Sequence, residues 1–153
     1  MKLTEILSPQ SIRVPLTATT KDEAIAELVD LLAATGRLAD RQKVLSAVLE
    51  REHTRSTGIG SGLAIPHGKS SGVAQLVMAL GKPKDPIDYD SVDGKPVNLL
   101  ILLASPLDQT GPHIQALAHI SRLMSLDPFR RKLSAAATAD DVWRVIQDQE
   151  AAE

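Results

Sequence analysis

The run Val97-Asn98-Leu99-Leu100-Ile101-Leu102-Leu103-Ala104 constrains this chain more than any other stretch. Its apolar part, Leu99 to Ala104, is far too short to cross a membrane and reads as a central strand buried on both faces. Such a strand needs helices above and below its sheet. A second apolar segment, Gln75-Leu76-Val77-Met78-Ala79-Leu80, supplies a neighbouring strand, and the Pro/Asp/Gly-rich stretch through Gly94 separates the two as a loop.

Helices are predicted on both sides of this strand block. Thr20-Lys21-Asp22-Glu23 forms a capping box, after which Ile25, Leu28, Val29 and Leu32 keep helical spacing until Gly36. Asp40 caps a second helix with Val44, Leu45, Val48 and Leu49 on its apolar side and Arg51 near its end. Gly111 to about Ala136 reads as helical with a break near Asp127-Pro128, and Thr138-Ala139-Asp140-Asp141 caps a last helix carrying Val142, Val145 and Ile146. No repeat or linker divides the chain, so residues 1–153 are read as one α/β domain. The expected architecture is a three-layer sandwich, a mixed β-sheet flanked by α-helices on both faces.

Composition removes several functions. With 43% hydrophobic residues over 153 positions, the chain can bury roughly 70% of its unfolded surface. A net charge of -2 and only Trp143, Tyr89 and Phe129 for stacking make nucleic acid a poor partner. The absence of cysteine excludes thiolate catalysis and Cys-type zinc sites. No leader-like apolar segment opens the chain and no stretch is fit to embed in a membrane, so a cytoplasmic protein is the expectation.

The chemistry concentrates in Arg51 through Lys69. Gly58, Gly60 and Gly62 alternate with Ile59, Ser61 and Leu63, which reads as a strand stripped on one face for close approach by a ligand or another backbone. Pro66-His67-Gly68 then sets one imidazole on a stiff backbone, Pro66 fixing φ and Gly68 leaving room for whatever docks on the ring. An ordinary surface turn is the bland alternative. Arg51 stands where a helix hands over to this run. There it is either a solvated cation at a helix C-terminus or a bidentate holder of phosphoryl oxygens.

Two decoys fall away. Gly68-Lys69-Ser70 resembles the end of a P-loop, but the required first glycine is Leu63, and Pro66 removes an amide from the would-be phosphate cradle. Gly58-Ile59-Gly60-Ser61-Gly62 likewise fails the dinucleotide pattern, so no nucleotide cofactor is expected. As for metals, His113 and His119 sit six positions apart, roughly 120° around a helix, and no zinc-type motif accompanies them. His53 and His119 read as solvated surface residues. Gly111-Pro112 puts His113 in the first turn of a helix, with Pro at N1, where it is either a solvated surface histidine or a neutral N–H donor whose protonation the dipole discourages.

The stretch Ser56-Thr57-Gly58-Ile59-Gly60-Ser61-Gly62-Leu63-Ala64-Ile65-Pro66-His67-Gly68-Lys69, with Asp108-Gln109-Thr110, His113 and Arg130-Arg131-Lys132-Leu133, resembles the enzyme IIA domains of the bacterial phosphotransferase system. Within the fructose/mannitol class it is most similar to the nitrogen-regulatory type, with Ser61 in place of asparagine and Leu63 in place of isoleucine. The resemblance implies that His67 is the phospho-accepting nucleophile, charged by an HPr-like phosphocarrier, with His113 and Arg51 as auxiliaries and Thr57 and Gly68 in support. Such transfer passes through a loosely bonded phosphoryl whose equatorial oxygens need preorganised donors. Arg51, the His113 N–H and loop amides near Gly68 are the candidates.

The implied role is a regulatory phosphocarrier acting on target proteins, kinases or ion transporters among them. A sugar-specific IIA that passes phosphoryl to a IIB partner is the alternative, and a pure binding module that leaves the histidine unused is the third. Docking of a partner histidine implies an exposed apolar rim, expected to include Leu63 and Ile65 unless Ile65 faces the core.

Overall fold

The apolar run becomes the central strand. In the computed structural model, which describes residues 1–153, β6 (Leu99–Ser105) is buried at every position. Leu99, Ile101 and Leu103 face one hydrophobic core, whereas Leu100, Leu102 and Ala104 face another. Both faces are covered, so every position from Leu99 to Ala104 is apolar and only the closing Ser105 is polar. Truncating a fully buried leucine such as Leu102 to alanine costs about 2–5 kcal/mol.

On one side of β6, β5 (Val77–Pro83) pairs antiparallel with Leu80 opposite Ile101. Outside it β1 (Ile12–Leu16) pairs parallel with β5 and forms the edge. On the other side, β3 (Leu63–Ala64) and β4 (His67–Lys69) both run parallel to β6, with Leu63 opposite Leu99 and His67 opposite Leu103. The register is unchanged between them. They are one strand interrupted at Ile65-Pro66, because Pro66 has no N–H to give a ladder. β2 (Gly58–Gly60) pairs antiparallel with β3 and closes that edge.

The helices fill the two outer layers. α1 (Lys21–Ala34) and α2 (Arg41–Thr54) cover one face, where Ile25, Leu28, Leu32, Val44 and Val48 meet Leu100 and Leu102. α3 (Thr110–Met124), α4 (Asp127–Ala135) and α5 (Ala139–Ala151) cover the other with Ile120, Phe129, Leu133 and Ile146. Thr20, Asp40 and Thr138 each accept from the amide three residues on, which fixes where α1, α2 and α5 begin. The chain is thus an α/β sandwich around a mixed sheet, as the sequence predicts.

Four local readings change. The segment before Thr20 contains β1, which the sequence analysis does not anticipate, since Pro15 interrupts its alternation. Proline is tolerated there because β1 is an edge strand. The glycine run is a tight hairpin, β2 turning into β3 through Gly60, Ser61 and Gly62 at φ of 101°, 56° and 80°, where glycine avoids the left-handed penalty. His67 begins a strand instead of lying in a loop. Finally, α3 starts at Thr110, so Pro112 is its third residue and not its first.

Candidate functional site

The fold brings His67 and His113 together. His67 comes from the resumed strand after Pro66 and His113 from the first turns of α3, which follows β6. Their rings stand edge to face with centroids 5.4 Å apart and planes at 61°. Because β4 and β6 are neighbours, two histidines distant in sequence become partners.

His67 is partly exposed, and its Nδ1 lies 2.8 Å from the Ile65 carbonyl. A carbonyl oxygen only accepts, so Nδ1 carries the hydrogen and Nε2 keeps its lone pair. Burial pushes the imidazole pKa below its usual value. The Arg51 charge adds to that lowering, while the Ile65 bond and the Glu52 carboxylate oppose it. The ring is therefore neutral at pH 7 and a competent nucleophile.

His113 is only 3% exposed. Its pKa falls to about 4, first through burial and then through the positive fields of His67 and Lys69. The sequence analysis expects the neutral state from the helix dipole; in the structure burial is its first cause. Its Nδ1 lies 2.6 Å from Ser105 Oγ. Lys69, opposite Ser105 in the β4–β6 register, donates to Thr110 Oγ1 at 2.9 Å and so ties β4 to the start of α3.

Arg51 sits in the last turn of α2 and donates to the Arg55 carbonyl at 2.8 Å. It shares with His67 an open cavity of about 330 Å³, lined also by Thr57, Ile59, Ile65 and Val92. A larger groove of about 500 Å³ between α4 and α5 holds no histidine. The cavity at His67 presents one imidazole beside the Arg51 and Arg55 side chains, with the His113 ring packed against that of His67.

Beneath Arg51 lies a buried knot. Glu52 accepts from Lys21 Nζ at 2.8 Å and from the Thr57 amide at 3.0 Å, and also takes the Thr57 hydroxyl. Tyr89 Oη lies 3.2 Å from that hydroxyl, and Lys21 stands over the Tyr89 ring. Thr57 thus lines the cavity while its hydroxyl is engaged by the knot. The knot fixes the turn from which Arg51 is presented.

Gly68 points the other way. A Cβ there would lie 3.0 Å from Val48 N and 3.1 Å from the Ala47 carbonyl carbon, so the missing side chain admits the backbone of α2. The other glycines are likewise approached from within the chain. A Cβ on Gly62 would meet Asn98 at 2.7 Å, and one on Gly60 would meet Asp93 at 3.2 Å. The close approach that the sequence reading assigns to a ligand or backbone comes from the segment around Asp93 and Asn98.

The expected apolar rim is also redrawn. Leu63 and Ile65 are both core residues, and Ile59 and Val92, 51% and 74% exposed, flank the cavity instead. His53 is exposed and 3.3 Å from Asp22. His119 is not simply solvated, for it bridges the buried carboxylate of Glu150 and the Arg122 guanidinium. Ser105, Lys69 and Glu52 escape the sequence reading. The one available signal is a serine closing an otherwise all-apolar strand.

The chain is similar to known proteins over nearly its whole length. A family model described as phosphoenolpyruvate-dependent sugar phosphotransferase system, EIIA 2, matches residues 5–149. The fructose-specific EIIABC component of Bacillus subtilis is 36% identical over 150 residues, covering 98% of this chain and 24% of that protein. This chain thus spans about a quarter of that relative's length. A nitrogen regulatory protein of Bradyrhizobium diazoefficiens is 33% identical over 147 residues and 95% of each chain. Among solved structures, the nitrogen regulatory protein IIA-Ntr of Neisseria meningitidis superposes with a TM-score of 0.85 at 31% identity, covering 94% of this chain and 98% of that one.

Proposed function

The chain belongs to the EIIA 2 family of the phosphoenolpyruvate-dependent sugar phosphotransferase system, and from that membership we propose that His67 is its phospho-accepting residue. The donor is a phosphohistidine on an HPr-like carrier. The His67 Nε2 lone pair attacks phosphorus in line, forming a new P–N bond, while the electron pair of the breaking P–N bond returns to the donor's ring nitrogen. His67 keeps its Nδ1–H throughout. The Ile65 carbonyl that accepts it stabilises the positive charge that the phosphorylated ring acquires.

The transferring phosphoryl spreads negative charge over three oxygens. Arg51, from the shared cavity, supplies a cation, and the neutral His113 ring supplies an N–H. Donors of this kind act most effectively when held in place before the reaction. The chief support is the Ile65 bond, because it assigns the two ring nitrogens opposite roles. Ile59 and Val92 form an apolar collar for a carrier that must bind weakly and release.

Within the family, the regulatory nitrogen type is favoured by the resemblance to IIA-Ntr and by the relative that matches along nearly its whole length. Its outputs are target proteins, kinases or ion transporters among them, met in the cytoplasm. The 36% identity to a fructose-specific component favours the second reading, a sugar-specific IIA that hands phosphoryl to a IIB partner.

Incubation with phosphoenolpyruvate, enzyme I and the carrier tests the site. Expected is acid-labile, base-stable labelling that disappears in His67→Ala and slows in Arg51→Ala. Labelling that persists in His67→Ala overturns the assignment. Onward transfer to a IIB domain separates the two physiological readings.

A further inference from the structure

His113 is useful to a transferring phosphoryl only if its free ring nitrogen carries a hydrogen. A neutral imidazole has one N–H, and its position is decided by the partner of the other nitrogen. At His113 that partner is Ser105 Oγ, 2.6 Å from Nδ1.

Ser105 is 0% exposed, and no other hydrogen bond to its hydroxyl exists in the structure. If Nδ1 were the donor, the serine hydrogen would be buried without an acceptor, an arrangement that folded proteins avoid. With serine donating, both groups are satisfied. The hydroxyl is also held in place. Ser105 ends β6, its carbonyl accepts from Ser70 N at 2.9 Å, and it lies opposite Lys69 in the parallel register that sets His67 opposite Leu103. Strand pairing that positions the nucleophile therefore positions the serine as well.

We propose that Ser105 is a positioning residue for phosphoryl transfer: its hydroxyl donates to His113 Nδ1 and presents the ring as the Nε2–H tautomer, a fixed neutral donor beside His67. The inference rests on the phosphoryl-transfer reading of His67. It adds a specific division of labour, in which the Ile65 carbonyl leaves Nε2 of His67 bare while the Ser105 hydroxyl leaves Nε2 of His113 protonated. The two rings are identical side chains held in opposite tautomers by opposite means. One is given an acceptor and attacks through its other nitrogen; the other is given a donor and donates through its other nitrogen.

The tautomer is measured directly by long-range proton–nitrogen NMR of the unphosphorylated, nitrogen-15-labelled protein at pH 7. Expected for His113 is a protonated Nε2 and an unprotonated Nδ1. A protonated Nδ1 overturns the inference whether or not the protein carries phosphoryl. Kinetically, Ser105→Ala is expected to slow phosphoryl acceptance about tenfold, the scale for losing an outer-shell orienting bond. Ser105→Thr, which keeps a hydroxyl, is expected to recover most of the rate.

In a His113→Ala background, Ser105→Ala is expected to cause no further loss. A further tenfold loss there would show that the serine acts elsewhere and would overturn the proposal, as would an unchanged rate in the single variant. Failure of the parent reading looks different: His67→Ala would remain labelled while the His113 tautomer stayed as expected.

Discussion

Acid should destabilise this protein through His113 well before its carboxylates are neutralised. The folded-state pKa of His113 is about 4, whereas an unfolded histidine titrates near 6.5. Between these values the unfolded chain binds a proton that the folded chain refuses, so stability is complete above about pH 6.5 and drains away as pH falls toward 4. Burial enforces the refusal first, and His67 and Lys69 add to it by disfavouring a positive charge beside them. From pH 7 to pH 5 the loss amounts to about 2 kcal/mol, taking 1.36 kcal/mol per unit of displaced titration. His67, also lowered, acts in the same direction. Glu27 and Glu150 are held below the usual carboxylate value, so their losses begin only near and below their unfolded pKa and leave this window to the histidines. Urea unfolding of wild type and His113→Gln at pH 7 and pH 5 isolates the effect. The variant is expected to be weaker at pH 7, having lost a group bonded to Ser105, but to lose about 2 kcal/mol less on acidification than wild type. Parallel losses, within about 0.5 kcal/mol, would refute the reasoning, because a charge-refusing His113 cannot be removed without flattening the curve.

Gly68→Ala should cost about 1–3 kcal/mol in urea midpoint and slow phosphoryl acceptance, because its Cβ would press on the Ala47–Val48 backbone of α2 and displace Arg51 relative to His67. Glu52→Gln removes the carboxylate that holds Lys21, which retains partial exposure, and Thr57. A loss of about 2–3 kcal/mol is expected by thermal or urea unfolding, below the full cost of breaking a buried pair. Val92→Asp, on a 74% exposed residue at the cavity, should leave the unfolding midpoint within about 0.5 kcal/mol of wild type. It should raise the carrier concentration needed for half-maximal labelling, and an unchanged requirement would remove Val92 from the docking collar.

What could be read in advance divides by the range of the interaction. The caps at Thr20, Asp40 and Thr138 are bonds across three residues, so they are legible from local spacing. β6 is legible for a different reason: a strand covered on both faces reads as a nearly continuous apolar run, here Leu99 to Ala104. β1 is not, because Ile12-Arg13-Val14-Pro15-Leu16 acquires its ladder only from β5, far along the chain. The glycine run misleads because alternation suits both a stripped strand and a hairpin with left-handed turn residues. Only the Asp93 and Asn98 contacts decide between them.

The candidate site shows the same division. His67 is conspicuous in Pro-His-Gly, and Pro112 points to a helix start near His113. The sequence expects a neutral His113 from the helix dipole, whereas burial is the first cause of its lowered pKa in the structure. Burial is a property of packing that residue types around position 113 do not display. Leu63 fails for the same reason, its alternation with glycines having hidden that it enters the α3–α5 core, and Ile65, left open between rim and core, enters that core as well.

The interruption at Ile65-Pro66 ties these observations together. Every backbone polar group there has a destination. The Ile65 N–H goes sideways to the Thr57 carbonyl at 3.0 Å, Pro66 has no N–H to place, and the Pro66 carbonyl accepts from Leu103 at 3.0 Å. The Ile65 carbonyl turns to the His67 ring. A strand that ran unbroken from Leu63 to Lys69 would commit its carbonyls to neighbouring strands. By breaking the ladder for two residues and resuming in the same register, the chain frees one carbonyl to orient an imidazole without losing alignment to β6. That alignment then sets Lys69 opposite Ser105, and through Ser105 it reaches His113. The orientation of the His67 ring thus follows from a proline that interrupts the strand without shifting its register to β6.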